Sequence, residues 1–209
     1  RYVASLPAKN SVNSQRTAAL PAVRKVDETL IYRRRQDTPY ASVSIFYDFE
    51  LPYEPKSDVM LKTFKLILQM MYTDTIREES GGAYHVSVNT ELDGLKMPNA
   101  LLKIAFRTDP QRYEELIPLV YEQLLRLAEH GPTQELLQKS KEFLLKAHRQ
   151  QAQSNHYWLH ILYNMVYRGA DFDTDYEKIT EAVSAHDVQQ LCAEIIAQKR
   201  RIEVTMLPL

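Results

Sequence analysis

Apolar residues recur along this chain with two periods, and each change of period marks a new element. From Tyr40 to Leu51 the period is two. Ala41, Val43, Ile45, Tyr47 and Phe49 fall on one face and Ser42, Ser44 and Asp48 on the other, which predicts a strand buried on one side. Pro52 and Pro55 stop it. Ser57 or Asp58 can then cap a helix in which Met60, Phe64, Ile67, Leu68 and Met71 recur at intervals of three and four. Alternation returns with Tyr84, Val86 and Val88, opposite His85, Ser87 and Asn89. A turn at Asp93-Gly94 and a strand over 100–108, carrying Leu102, Ile104 and Phe106, predict an antiparallel hairpin.

From Asp109-Pro110 the pattern is helical almost to the end. The first helix carries Leu116, Val120, Leu124 and Leu127 and stops at Gly131-Pro132. The second starts at Thr133 and Glu135 and carries Leu136, Leu137, Phe143 and Leu144. The third, Tyr157 to Tyr167, is dense in large apolar residues and halts at Gly169. Short helices near Tyr176–Val183 and Asp187–Ala197 precede a final strand from Arg201 to Leu207, where Ile202, Val204 and Met206 alternate. A short strand over Asp27–Arg34 has charges that suit a sheet edge. The expectation is an α+β domain over 26–209, with one mostly antiparallel sheet and helices packed on one face. Residues 1–6 read as the closing strand of a preceding domain. Residues 7–25, rich in Ser, Asn, Gln, Ala and Pro and without periodicity, read as a linker. The chain opens on Arg1-Tyr2-Val3 in mid-pattern, so it reads as a piece of something longer.

Composition narrows the function. Hydrophobic residues make up 44% and charged residues 25%, enough for a core, and a net charge of −1 gives no phosphate-seeking surface. The runs Arg33-Arg34-Arg35 and Lys199-Arg200-Arg201 flank predicted strands and read as solvated strand ends, not as a nucleic-acid patch. No apolar run approaches the ~18 residues of a membrane span. Cys192 is the one cysteine, so no intrachain disulfide can form. Beside Leu191 and Ile195 it reads as a small buried hydrophobe. The compartment is left open.

Candidate chemistry is sparse. His156 and His160 share a helix face at a spacing that suits a metal pair, but no glutamate follows the first histidine as zincins require, and no third ligand is spaced for them. Arg126-Leu127-Ala128-Glu129-His130 ends like the inverted zinc motif His-x-x-Glu-His, with its first ligand replaced by an arginine that cannot bind a cation. Asp171, Asp173 and Asp175 alternate without the glycine and terminal glutamate of a calcium loop. The expectation is no metal and no cofactor in this chain.

The remaining candidate is the run Arg77-Glu78-Glu79-Ser80-Gly81-Gly82-Ala83-Tyr84, where the long helix meets a strand. Adjacent glycines let the chain turn there. On residue chemistry alone two readings stay open. Arg77 either caps helix carbonyls or pairs with Glu78 or Glu79, and Tyr84, in step with Val86 and Val88, is a core aromatic; or the pair serves a ligand.

That run, with Thr75 and Ile76 before it, resembles the Arg-Glu-x-x-x-x-Ala-Tyr segment in the C-terminal half of the insulinase (pitrilysin-like) zinc metallopeptidases. Arg1 to Pro7 is similar to the strand closing the preceding domain in that family. Phe172 to Tyr176 and Arg201 to Pro208 resemble its last helices and strand in bacterial four-domain members. The resemblance implies a metallohydrolase-like, zinc-less C-terminal domain that partners the zinc-bearing N-terminal half of the same polypeptide and binds peptide substrate. It implies that Arg77 grips peptide carbonyls and Tyr84 donates to the developing oxyanion, with Gly81, Gly82 and Ala83 forming the substrate-binding loop. The expected helix from Ser57 to Glu79 has no histidine, so no proteolysis is expected of this piece alone. The alternative is a catalytically dead structural subunit of the same fold. A bacterial periplasm, cell envelope or cytoplasm would each suit it.

Overall fold

The computed structural model describes residues 26–80, 86–93 and 99–209, and of residues 76–80 the backbone only. In chain order the elements are β1 (Asp27–Arg34), β2 (Ala41–Glu50), α1 (Pro55–Ser80), β3 (Val86–Asp93), β4 (Asn99–Thr108), α2 (Tyr113–His130), α3 (Gln134–Gln151), α4 (Asn155–Arg168), α5 (Tyr176–Ala182), α6 (Ala185–Ala197) and β5 (Arg201–Pro208). The expected strand remnant at 1–6, the linker at 7–25, and the turn residue Gly94 lie outside the described residues.

The five strands form one sheet in the order β1-β5-β2-β4-β3. Three of its four pairings are antiparallel, and β1 alone runs parallel, beside β5. β3 and β4 pair as expected, with Val86 opposite Phe106 and Asp93 opposite Asn99. The alternation of β2 is realised in full: Ala41, Val43, Ile45, Tyr47 and Phe49 all point into the core. They meet Phe64, Ile67 and Leu68 of α1, Leu116, Val120, Leu124 and Leu127 of α2, and Val188, Leu191 and Ile195 of α6. The helices therefore bank on one face, because only that face of each strand is apolar enough to exclude water.

Side chains then fix how the helices sit. Tyr72 is fully buried on α1 and donates to the Val120 carbonyl of α2 at 3.1 Å, which joins these two core helices. Cys192 lies where expected, its thiol 3.3 Å from the Leu124 carbonyl, and burial pushes its pKa up to about 12. At such a value the reactive thiolate is scarce near neutral pH. α3 is capped by Thr133, which accepts from the Leu136 amide, as its sequence suggests.

Two expectations fail on which face is buried. In β5 the face toward the helices carries Glu203, Thr205 and Leu207, while Ile202, Val204 and Met206 lie on the more open side. The reason is a polar cluster. The Tyr121 hydroxyl of α2 donates to Glu203 Oε2 at 2.5 Å, and Arg201 Nη1 donates to the same hydroxyl at 2.6 Å, so the carboxylate is sheltered but partnered. Phe143, grouped with the apolar positions of α3, is exposed; Leu137 and Leu144 are buried and Leu136 is partly buried against the core.

Candidate functional site

The corner identified from the sequence falls between the C-terminal end of α1 and the start of β3. α1 is 26 residues long, about 39 Å at 1.5 Å per residue. Such length carries the chain along the edge strand β3, whose first residues lie beside Gln69, and its last turn runs on past that point. Arg77 lies on that last turn, three residues before Ser80, where the exposed carbonyls and helix dipole favour a cation. Gly81, Gly82, Ala83 and Tyr84 lie outside the described residues.

The described flanks are tied together by a contact the sequence reading missed. Gln69, two turns before Arg77, uses both ends of its side-chain amide on β3. Its Nε2 donates to the Val86 carbonyl at 2.5 Å, and its Oε1 accepts from the Val88 amide at 2.9 Å. Because β3 lies at the edge of the described sheet, those two backbone groups have no strand to pair with among the described residues, and the glutamine amide stands in for a peptide group. Nothing in the sequence marks it, since a glutamine inside a helix is ordinary. Val86 and Val88 are buried beneath, so β3 is gripped both at its edge and on its inner face.

One turn before Arg77, a cavity of about 430 Å³ opens between α1 and the α2–α3 turn, lined by Asp74, Thr75, Gln123, Arg126, His130 and Thr133 among others. The inverted-motif look-alike thus ends at the rim of this cavity. His130 Nε2 lies 3.8 Å from Glu129. At the opposite end of α1, a cavity of about 470 Å³ lies between its first turns, α3 and α4, with His148, His160, Tyr53 and Tyr176 in its walls. His148 sits 3.0 Å from Asp173 and stacks on Tyr176 with ring centres 4.3 Å apart. His160 is paired with Asn164 at 3.0 Å, while the His156 amide donates to the capping Ser154. Asp171 accepts from the Asp173 and Thr174 amides and the Thr174 hydroxyl, which holds its carboxyl below the usual range.

These residues do not fit a zinc ion. α1 carries no histidine, Arg126 stands where a first ligand would be needed, and among the described residues no group of three or more His, Cys, Asp or Glu converges. No described helix is long and apolar enough to cross a membrane.

Comparison with known proteins agrees with this geometry. The description "Peptidase M16 inactive domain" matches residues 1–144. The probable zinc protease PqqL of Escherichia coli is 32% identical over 139 residues, which cover 65% of this chain and 14% of that protein. A zinc protease PQQL-like of Arabidopsis thaliana is 30% identical over 98 residues, 44% of this chain and 10% of that protein. This chain therefore corresponds to a small part of the length of those relatives. In solved structures the fold recurs in the periplasmic protease PqqL from Escherichia coli, with TM-score 0.74 and 18% identity over 89% of this chain and 21% of that one. It recurs in a peptidase M16 inactive domain from Pseudomonas fluorescens, with TM-score 0.70 and 15% identity over 90% of this chain and 47% of that one. With a matching family description over most of its length, and an α+β fold shared with these peptidases, the chain belongs to the peptidase M16 inactive domain family.

Proposed function

We propose that this chain is the peptide-binding, zinc-less domain of a longer zinc metalloendopeptidase. In this reading it closes a chamber against a zinc-bearing N-terminal half, completes the active site from its own side, and cleaves nothing by itself. The observation that carries the reading is that the described flanks of the α1–β3 corner are tied to each other. A long helix runs along the edge strand β3, and Gln69 fastens the first residues of β3 onto that helix, two turns before Arg77.

The chemistry suits the residue types. Arg77 presents a planar fork of N–H donors, which can bridge two carbonyl oxygens of an extended peptide; a lysine at this place offers only a point charge. Tyr84 presents a phenol that donates to the carbonyl oxygen as charge develops on it. Gly81, Gly82 and Ala83 would let a peptide backbone approach closely, since none carries a side chain beyond a methyl. Zinc is proposed to belong to the other half, because the donors of this chain do not fit it.

Replacing Arg77 with lysine in the full-length polypeptide tests this. Hydrogen bonds to a charged group are worth about 1.5–3 kcal/mol, so kcat/KM for a peptide should fall on the order of tenfold or more. An unchanged kcat/KM would contradict the role given to Arg77, whereas no peptide turnover by the unaltered full-length polypeptide would favour the second reading, a catalytically dead assembly subunit. The exposed apolar side chains of α4 lend that alternative some support.

A further inference from the structure

The helix α4 is built inside out. Its inner stripe, Tyr157, Ile161, Asn164 and Arg168, is mostly polar. Asn164 is 1% exposed and accepts from the Tyr53 hydroxyl at 2.7 Å, Tyr157 donates to Asp173 at 2.5 Å, and the Arg168 guanidinium lies 4.9 Å from the Tyr53 ring. Its outer stripe runs Leu159, Leu162, Tyr163, Val166 and Tyr167, spaced at i, i+3, i+4, i+7 and i+8. That is the spacing of a core-facing helix. Here it faces solvent, with Leu159 70%, Val166 74% and Tyr167 76% exposed. From His156 to Tyr167 there is no Asp, Glu, Lys or Arg. Among the described elements α4 is also the helix least packed against the others. A contiguous apolar stripe of this kind on an otherwise charged surface marks an interaction face.

We infer that the outer stripe of α4 is a permanent interdomain face, covered in the full-length protein by an apolar surface of a neighbouring unit of the same polypeptide. The inference rests on the proposal that this chain is one unit of a longer protein, and it concerns a different surface from the Arg77 corner. α4 lines the cavity that includes Lys62, 15 residues before Arg77 on α1, which is about 22 Å away along the helix. The composition of the stripe favours a lasting contact, and the length of the relatives favours a unit of the same polypeptide over a second copy of this chain. An uncharged, aromatic-rich stripe has the make-up of an obligate interface rather than of a transient one. Three of the solved relatives join a unit of this fold to at least as much further chain, since this chain covers 47%, 45% and 21% of them. A covalently attached neighbour acts at a high effective concentration.

The test is maleimide labelling of the full-length polypeptide carrying Leu159→Cys or Val166→Cys, read peptide by peptide by mass spectrometry, with the exposed Lys146→Cys as reference. The buried Cys192 supplies little background. Both stripe positions should label at least tenfold more slowly than position 146, at a rate independent of protein concentration. Equal labelling would overturn the inference. Protection that appears only as concentration rises would assign the face to a second copy and overturn it too. Hydroxyl-radical oxidation of Tyr163 and Tyr167 in the unaltered protein gives the same answer without substitution: strong oxidation of both in the dilute full-length protein contradicts the inference. Peptide turnover is read separately, so failure here leaves the role of Arg77 and Tyr84 standing.

Discussion

Gln69 shows how much a single neutral side chain can decide. By occupying the outward hydrogen-bonding groups of Val86 and Val88, it anchors the exit of the α1–β3 corner and covers that part of an exposed edge. Replacement by leucine keeps the volume but leaves one carbonyl and one amide unpaired. The expected cost is about 1–3 kcal/mol in chemical denaturation, with faster hydrogen exchange at the Val88 amide. Glutamate at 69 could still accept from that amide but would set its other oxygen against the Val86 carbonyl, so it should not restore stability at neutral pH. A second residue-scale prediction concerns Tyr121. Its phenol pKa is pushed up by burial and by the hydrogen bond to Glu203. Tyr121→Phe removes the closest donor to a sheltered carboxylate and leaves it with Arg201 at 3.3 Å. A loss of about 1–3 kcal/mol in unfolding free energy is expected. An unfolding midpoint unchanged by either substitution would show that the contact carries no weight.

The elements were legible where one physical signal governed them. β2 could be read residue by residue because its inner face is uniformly apolar and its outer face is not. The helix stops at Gly131 and Gly169 were legible for a similar reason. Both residues adopt positive φ, 69° and 67°, where a side chain is disfavoured. β5 was misread because its inner face is set by partners far away in sequence. Glu203 can turn inward only because Tyr121, 82 residues earlier, and the neighbouring Arg201 receive it. In α4 the apolar density was plain, but periodicity states that a face is buried, not by what. At α6 the local signal sufficed. Ser184 accepts from the Asp187 amide while Asp187 accepts from the Ser184 amide and hydroxyl, a closed capping box. The Ser184 contacts hold the Asp187 carboxyl below its ordinary 3.8, so its stabilising effect is present above about pH 4 and fades as pH falls through the lowered value. Ser184→Ala should therefore cost about 1 kcal/mol at pH 7, with a smaller difference from wild type at pH 3 by thermal denaturation. A pH-independent difference would contradict the box.

At the scale of the molecule, the two surfaces proposed to work lie toward opposite ends of α1. One end carries Arg77 on its last turn, beyond the Gln69 contact with β3, and near the other α4 turns an apolar stripe outward. The family and its fold are settled by likeness over most of the chain, and the resemblance first read at the Arg77–Tyr84 segment pointed to the same family. The function proposed here is a division of labour, in which this domain holds the peptide while its partner half supplies the metal. The measurement that reaches that claim most directly is peptide hydrolysis by the full-length polypeptide carrying Tyr84→Phe, beside its thermal unfolding curve. Loss of one donor to a developing oxyanion typically costs ~2.7–4 kcal/mol, so kcat/KM should fall at least tenfold while the unfolding midpoint stays in place. Turnover equal to wild type, with the fold intact, would contradict the account.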